Sequence, residues 1–268
     1  MTAPPPPDIT TSTSSDSPFF IIGCVRSGTT MLRDVLRRHP NLACPEETHF
    51  FRWAEPFGTD GLNRVLSDNA VLKRHREIDG ITQDEFKKLL HSSHSRAHLY
   101  NRYMALYIQR NKPQATRWFD KTPQNVYGAM LAAAAMPKAR FVHIVRNPMN
   151  VAASLRIGRI VKVNDIIGAA NYWNESAHII RGLRRAYPGR VHELRYEDFM
   201  DNALDETRKL LEFLEEPYDP TWFSDFKPRV SDHDASGVLS AEDRKRLQMV
   251  CRFNMQHYGY LKAVATPT

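Results

Sequence analysis

Phe19-Phe20-Ile21-Ile22-Gly23-Cys24-Val25-Arg26-Ser27-Gly28-Thr29-Thr30-Met31-Leu32-Arg33-Asp34-Val35-Leu36 is the stretch that decides the fold class. It opens on a continuous apolar, aromatic and β-branched run, which predicts a strand buried on both faces. A polar Ser/Gly/Thr turn follows. Apolar residues at 31, 32, 35 and 36 then predict a helix from Met31 to Arg38, stopped by His39-Pro40. Strand, glycine-rich turn and amphipathic helix, in that order, create an anion-binding concavity. Successive backbone N–H groups line the turn, and the positive end of the helix dipole faces it.

The spacing Gly23-x4-Gly28-x-Thr30 matches the nucleotide-binding P-loop except at one position, where Thr29 replaces the usual lysine. The cation stands instead at Arg26. A nucleoside-triphosphate enzyme also needs an aspartate at a neighbouring strand end to hold magnesium. The strand read from Phe141 to Val145 ends instead in Arg146. Arg146-Asn147-Pro148 leaves that strand for a helix beginning near Pro148, which puts Ser154 about two turns along it. An arginine fork and a hydroxyl so placed can grip a second phosphate.

Val191 to Tyr196 reads as a further strand, followed by a helix from Leu204 to Leu214 with apolar positions 204, 207, 210, 211 and 214. Asn125 to Met136, Asp165 to Tyr187 (behind Asn164 as cap), Ala241 to Tyr258 and Gln83 to Gln109 read as helices. Alternating strands and helices argue an α/β fold, a parallel sheet flanked by helices as in P-loop proteins, with a helical insertion. We expect one domain over 18–262, between a Pro/Ser/Thr-rich disordered tail at 1–17 and a short tail at 263–268.

The chain has 268 residues, 42% hydrophobic and 25% charged, which excludes a mostly disordered or fibrous molecule. Its longest apolar runs, Phe19 to Val25 and Ala129 to Pro137, fall far short of the ~20 residues of a membrane span. No secretory leader is read at the start. Cys24, Cys44 and Cys251 are odd in number and scattered, which suits a reducing, cytoplasmic setting and offers no zinc framework. Formal charge is +7, and residues 71–117 hold ten Lys/Arg against four Asp/Glu. That basic segment reads as solvated helices, or as a region attracting an anionic partner. His91, His94 and His98 read as a solvated helix face rather than a metal site. Tyr100, Tyr103, Tyr107, Trp173 and His143 read as core.

In order, R-S-G-T-T-M-L-R-x-x-L-x-x-H-P from Arg26, E-E-T from Glu46, D-K-T-P from Asp120, R-N-P-x5-S from Arg146 and R-Y-E-D-F from Arg195 resemble the PAPS-dependent sulfotransferases. PAPS is 3′-phosphoadenosine 5′-phosphosulfate. The likeness spans about residues 18 to 216 and is greatest to the bacterial branch and the tyrosylprotein sulfotransferases. It implies that Arg26, Ser27, Gly28, Thr29 and Thr30 cradle the 5′-phosphosulfate and that Arg146 with Ser154 grips the 3′-phosphate. It further implies that Glu47 is the general base, that Lys121 stabilises charge on the sulfuryl and bridging oxygens, and that Tyr196 lies near the donor. His49 stands where the tyrosylprotein enzymes have arginine, so it departs from their acceptor pattern and is, with Glu46, a rival base.

The expected activity is sulfuryl transfer to an acceptor hydroxyl or amine, without a metal and with PAP as product. The acceptor is a small molecule, glycan or peptide; no nucleic-acid partner is expected. A P-loop kinase using Mg-ATP and a non-catalytic PAP-binding module are the alternatives.

Overall fold

The computed structural model describes residues 17–158, 161–226 and 235–262. The tails expected at 1–17 and 263–268 otherwise lie outside the described residues. Ser17 is described, and its hydroxyl donates to the Lys138 carbonyl at 3.1 Å.

Five parallel strands form one sheet: β1 (Phe19–Ile22), β2 (Leu42–Ala43), β3 (Arg117–Lys121), β4 (Arg140–Val145) and β5 (Val191–Arg195), in the order β2-β3-β1-β4-β5. β1 is central, pairing Ile21 with both Lys121 and Val142. Its alternating side chains serve two cores, as pleating requires. Phe20 and Ile22 enter one with Tyr100, Trp118 and Phe141. Phe19 and Ile21 enter the other with Leu32, Val35 and Phe119. Phe19 stacks on Phe119 with ring centroids 4.6 Å apart.

The helices in chain order are α1 (Thr29–Leu36), α2 (Asp60–Asp68), α3 (Ala70–Ile78), α4 (Gln83–His91), α5 (Arg96–Asn111), α6 (Ala129–Ala135), α7 (Pro148–Ile157), α8 (Ile166–Ala186), α9 (Tyr196–Asp201), α10 (Ala203–Leu214), α11 (Ala235–Val238) and α12 (Ala241–His257). α7, α8 and α12 enclose a third core that contains Cys24, Val145 and Trp173. No helix among the described residues is long and apolar enough to cross a membrane.

Several boundaries differ from the sequence reading. β3 was not foreseen as a strand, because Arg117-Trp118-Phe119-Asp120-Lys121 mixes charge with aromatics. The helix expected over 83–109 breaks at Ser92–Ser95. There the Ser93 hydroxyl takes the Leu89 carbonyl at 2.7 Å, and Ser95 caps α5 by accepting from the His98 amide at 3.1 Å. The helix expected from Asn125 starts as a 3-10 turn over Pro123–Gly128. Gly128 packs so tightly on Phe51 that a Cβ there would lie 2.0 Å from the Phe51 carbonyl oxygen. Tyr196, read as a strand end, instead opens α9. Asp165 rather than Asn164 caps α8, accepting from Gly168 at 2.7 Å.

Much of the basic charge in 71–117 is used inside the fold. Arg76 donates to the Leu66 carbonyl at 3.0 Å, and Arg96 to the Trp53 carbonyl at 3.1 Å. Lys112 reaches the carbonyls of Arg37, His39 and Leu42 at 2.7–2.9 Å, where the dipole of α1 ends. Arg117 pairs with Glu216 at 3.1 Å. These cations satisfy buried carbonyls and a carboxylate, which reduces the charge left to attract a partner.

Candidate active site

The turn after β1 needs backbone that L side chains rarely adopt. Gly23 has φ +142° and Gly28 φ +94°, and Arg26 itself is left-handed at φ +69°. Gly28 must also be small, since a Cβ would lie 2.5 Å from the Tyr196 ring. Gly28 is the N-cap of α1 and caps it with no side-chain hydrogen bond, so the helix opens with amide donors facing the turn. Ser27 is fully buried, and its Oγ has no hydrogen-bond partner. An orphaned buried hydroxyl, an open helix N-terminus and a glycine held against a ring together fit a phosphate-sized anion.

The turn meets Ser154 and Arg146 directly. Arg26 Nε donates to Ser154 Oγ at 2.9 Å, bringing α7 to the loop. Arg146, at the end of β4, directs Nη1 toward the Arg26 carbonyl at 3.4 Å and lays its guanidinium 4.3 Å from the Tyr196 ring centroid. Trp173 Nε1 donates to the Arg146 carbonyl at 3.0 Å, so this core tryptophan fixes the strand end beneath the arginine. Arg26, Gly28, Arg146, Ser154 and Tyr196 therefore form one cluster.

Across α1 lies the second cluster. Lys121, at the end of β3 and buried, donates from Nζ to Thr30 Oγ1 at 3.2 Å and to Glu47 Oε1. Glu47 Oε2 lies 3.3 Å from His49 Nε2. Burial alone would raise the Glu47 carboxyl, but the His49 hydrogen bond and the Lys121 charge outweigh it and hold it near pKa 2. Burial pushes His49 below the usual imidazole value despite the pull of Glu47, so the ring is neutral at pH 7.

Glu46, though adjacent, is turned elsewhere. Its carboxylate is tied to Arg33 at 2.9 Å and to Arg37 at 3.2 Å, and its amide donates to Asp79 at 2.8 Å. Below the loop a buried network sets its register. Asp120 accepts from Thr48 at 2.9 Å, Thr122 at 3.2 Å and Asn125 at 2.9 Å, and Tyr100 meets Thr48 at 2.6 Å. The Thr48 amide in turn donates to Thr122 Oγ1 at 3.0 Å. Burial lifts Asp120 to about 6 despite these donors.

Sequence reasoning missed His75, whose Nδ1 lies 2.9 Å from the Glu47 carbonyl, and Asp79, which holds the Glu46 amide and the Tyr103 hydroxyl. No motif marks either of them. His75 could be noticed only once α3 was known to lie against the E-E-T loop. Tyr100 and Tyr103 are core side chains, as expected, whose hydroxyls also serve this loop. His143 is buried and bonded to Glu193 at 3.1 Å. His94 stacks on His98 at 4.1 Å at the corner between α4 and α5.

A family model described as "Sulfotransferase family" matches residues 18–220, which span the loop, both clusters and all five strands. The chain belongs to the sulfotransferase family.

A putative protein-tyrosine sulfotransferase of Caenorhabditis briggsae is 24% identical over 208 residues, 74% of this chain and 65% of that protein. The sulfotransferase domain of the Synechococcus PCC 7002 olefin synthase superposes with TM-score 0.66 at 20% identity, covering 92% of this chain and 97% of that one. Mouse sulfotransferase SULT7A1 complexed with PAP superposes with TM-score 0.54 at 11% identity, covering 91% and 86%. The chain spans 26% to 65% of the length of the first three curated relatives it matches. The doubly flanked parallel sheet is thus the sulfotransferase fold.

Gly28→Ala tests the loop. Left-handed backbone and overpacking against Tyr196 should together cost about 1–4 kcal/mol, lowering the melting temperature by several degrees and weakening PAP binding. Unchanged PAP affinity in the variant would remove the loop from the binding site.

Proposed function

We propose that this sulfotransferase moves a sulfuryl group from PAPS to an acceptor hydroxyl or amine by in-line displacement. What carries the reading is the 2.9 Å bond from Arg26 to Ser154, which joins the glycine-rich turn to α7, the helix that follows Arg146. A ligand with phosphate at both 3′ and 5′ positions meets both sets of cations at once, whereas ATP lacks the 3′ group. The PAP complex of a mouse protein with this fold supports the same choice of donor.

The donor supplies a sulfuryl group on a phosphate leaving group. The amides of residues 27–30 and the Ser27 hydroxyl hold the 5′ end, and Arg26 turns from Ser154 to the transferring group when the donor binds. Arg146 and Ser154 hold the 3′-phosphate, the arginine as a fork, with Tyr196 backing both Arg146 and Gly28. Glu47 takes the acceptor proton as the new O–S bond forms. Lys121 leaves Glu47 for the bridging oxygen, where negative charge grows. Arginine, lysine and amide donors supply the positive charge in this scheme, without a metal. Residues 18–262 act as one catalytic domain in this reading, and the three buried free thiols suit a cytoplasmic setting.

A kinase would need a carboxylate for magnesium on a strand beside β1. β3 supplies Asp120, but its oxygens are committed to Thr48, Thr122 and Asn125, which favours the sulfuryl reading.

Thermal-shift titration with PAP, 5′-AMP and Mg-ATP tests the choice, because a ligand that binds only the native state raises its melting temperature. PAP should stabilise strongly without added metal and 5′-AMP barely. Stabilisation by Mg-ATP alone would replace this reading with the kinase. Strong PAP binding with no turnover over a broad acceptor panel would leave a binding module.

A further inference from the structure

We propose that His49 is a positioning residue: its Nε2–H anchors Glu47 Oε2, leaving Oε1 as the atom that accepts the proton once Lys121 turns away. The inference rests on the reading of Glu47 as the base and deepens it.

Three observations converge on this ring. His49 is a non-glycine residue in left-handed backbone, at φ +57°, a conformation that is costly for side chains with a Cβ. It is buried to 4% exposure, and its Nδ1 has no hydrogen-bond partner. Backbone strain and an unsatisfied ring nitrogen at one residue call for an offsetting gain. The polar contact its side chain makes is the 3.3 Å approach of Nε2 to Glu47.

The protonation pattern follows from the chemistry. A neutral imidazole carries one N–H, and an ionised carboxylate can only accept, so a bare Nε2 facing Oε2 would set two acceptors against each other. The proton therefore sits on Nε2, aimed at the carboxylate. The neighbours keep it single. His75 on α3 stacks over the ring at 6.3 Å, Trp53 lies at 5.8 Å, and the Arg52 charge opposes a second proton. Glu47 is the one nearby anion favouring it, and Lys121 on β3 already offsets that charge.

With Oε2 held by the ring, the carboxylate cannot rotate freely when Lys121 departs. Oε1 is then the free oxygen, in position to receive a proton. The acceptor's O–H bond breaks as its oxygen bonds to sulfur, the proton goes to Oε1, and the bridging electron pair stays on the 5′-phosphate of PAP. His49 exchanges nothing and touches no reactant.

The test is an NMR experiment on the full chain that needs no acceptor. With ¹⁵N-labelled histidine, the native protein should show His49 neutral at pH 7 with the proton on Nε2. A proton on Nδ1 overturns the proposal, whatever any variant does. With ¹³C-carboxyl glutamate, the Glu47 signal is the one missing in Glu47→Gln. In His49→Phe burial remains while the hydrogen bond is gone, so the Glu47 midpoint should rise by about one pH unit or more. In His49→Gln the side-chain amide can replace Nε2–H, and the midpoint should stay near the native value. An unmoved midpoint in a His49→Phe protein that still binds PAP overturns the proposal. Turnover of Glu47→Gln, measured as PAP released, separates the two claims. If it is retained, the base reading falls while the His49 contact stands; if it is lost with no shift in His49→Phe, only this inference falls.

Discussion

Glu47→Gln should release PAP from PAPS about 10²–10⁴-fold more slowly than the native enzyme, while binding PAP with unchanged affinity. The glutamine keeps the shape of the side chain and an oxygen for Lys121, so the fold and the donor site should persist. What it loses is the lone pair that takes the acceptor proton. The native carboxylate, held near 2 by His49 and Lys121 against the pull of burial, is ionised throughout the neutral range. A group whose folded pKa lies below its ordinary value contributes stability above that ordinary value and loses it as pH falls toward 2. At neutral pH the contribution is complete, so the variant should also melt somewhat earlier. Retained turnover would transfer the base role to His49. Glu46, bound by two arginines, has no geometry for it.

Arg146→Ala should weaken PAP binding about 10- to 150-fold, from the 1.5–3 kcal/mol typical of hydrogen bonds to a charged group, and should change 5′-AMP binding far less. The asymmetry is the informative part. Arg146 also supports the loop through the Arg26 carbonyl and the Tyr196 ring, so a modest loss for 5′-AMP is expected. Arg146→Lys keeps the charge but not the fork, and should fall between native and alanine. Isothermal titration with both ligands measures the difference. Equal losses would remove Arg146 from the 3′-phosphate and reduce it to a brace for the turn.

The parts of this site that could be read in the sequence are those built from neighbours in the chain. Strand, turn and helix from Phe19 to Leu36 follow from an apolar run, two glycines and a helical apolar spacing, all within one short segment. Arg146 and Ser154 were readable for a similar reason, since a strand end and two helical turns fix their separation. β3 was not readable. Asp120 and Lys121 look like surface residues until Thr48, Thr122, Asn125 and Glu47 surround them, and periodicity carries no trace of such partners. The break at Ser92–Ser95 was missed because three serines and a histidine can extend a helix or cap two. Only packing selects between those outcomes.

Chemical identity was therefore a property of the sequence: which residues could bind two anions, which carboxylate could take a proton, and the lysine absent from its usual P-loop position. Arrangement belonged to the tertiary structure. Arg26 meets Ser154 across 128 residues of chain, and Lys121 meets Glu47 across 74, because β1 lies between β3 and β4 and brings their ends to one edge. Glu46 and Glu47 are chemically alike and adjacent. What distinguishes them is direction, Glu46 toward Arg33 and Arg37 and Glu47 toward Lys121 and His49. Burial and charge then act differently on two identical side chains, and that difference arises only when distant segments pack together.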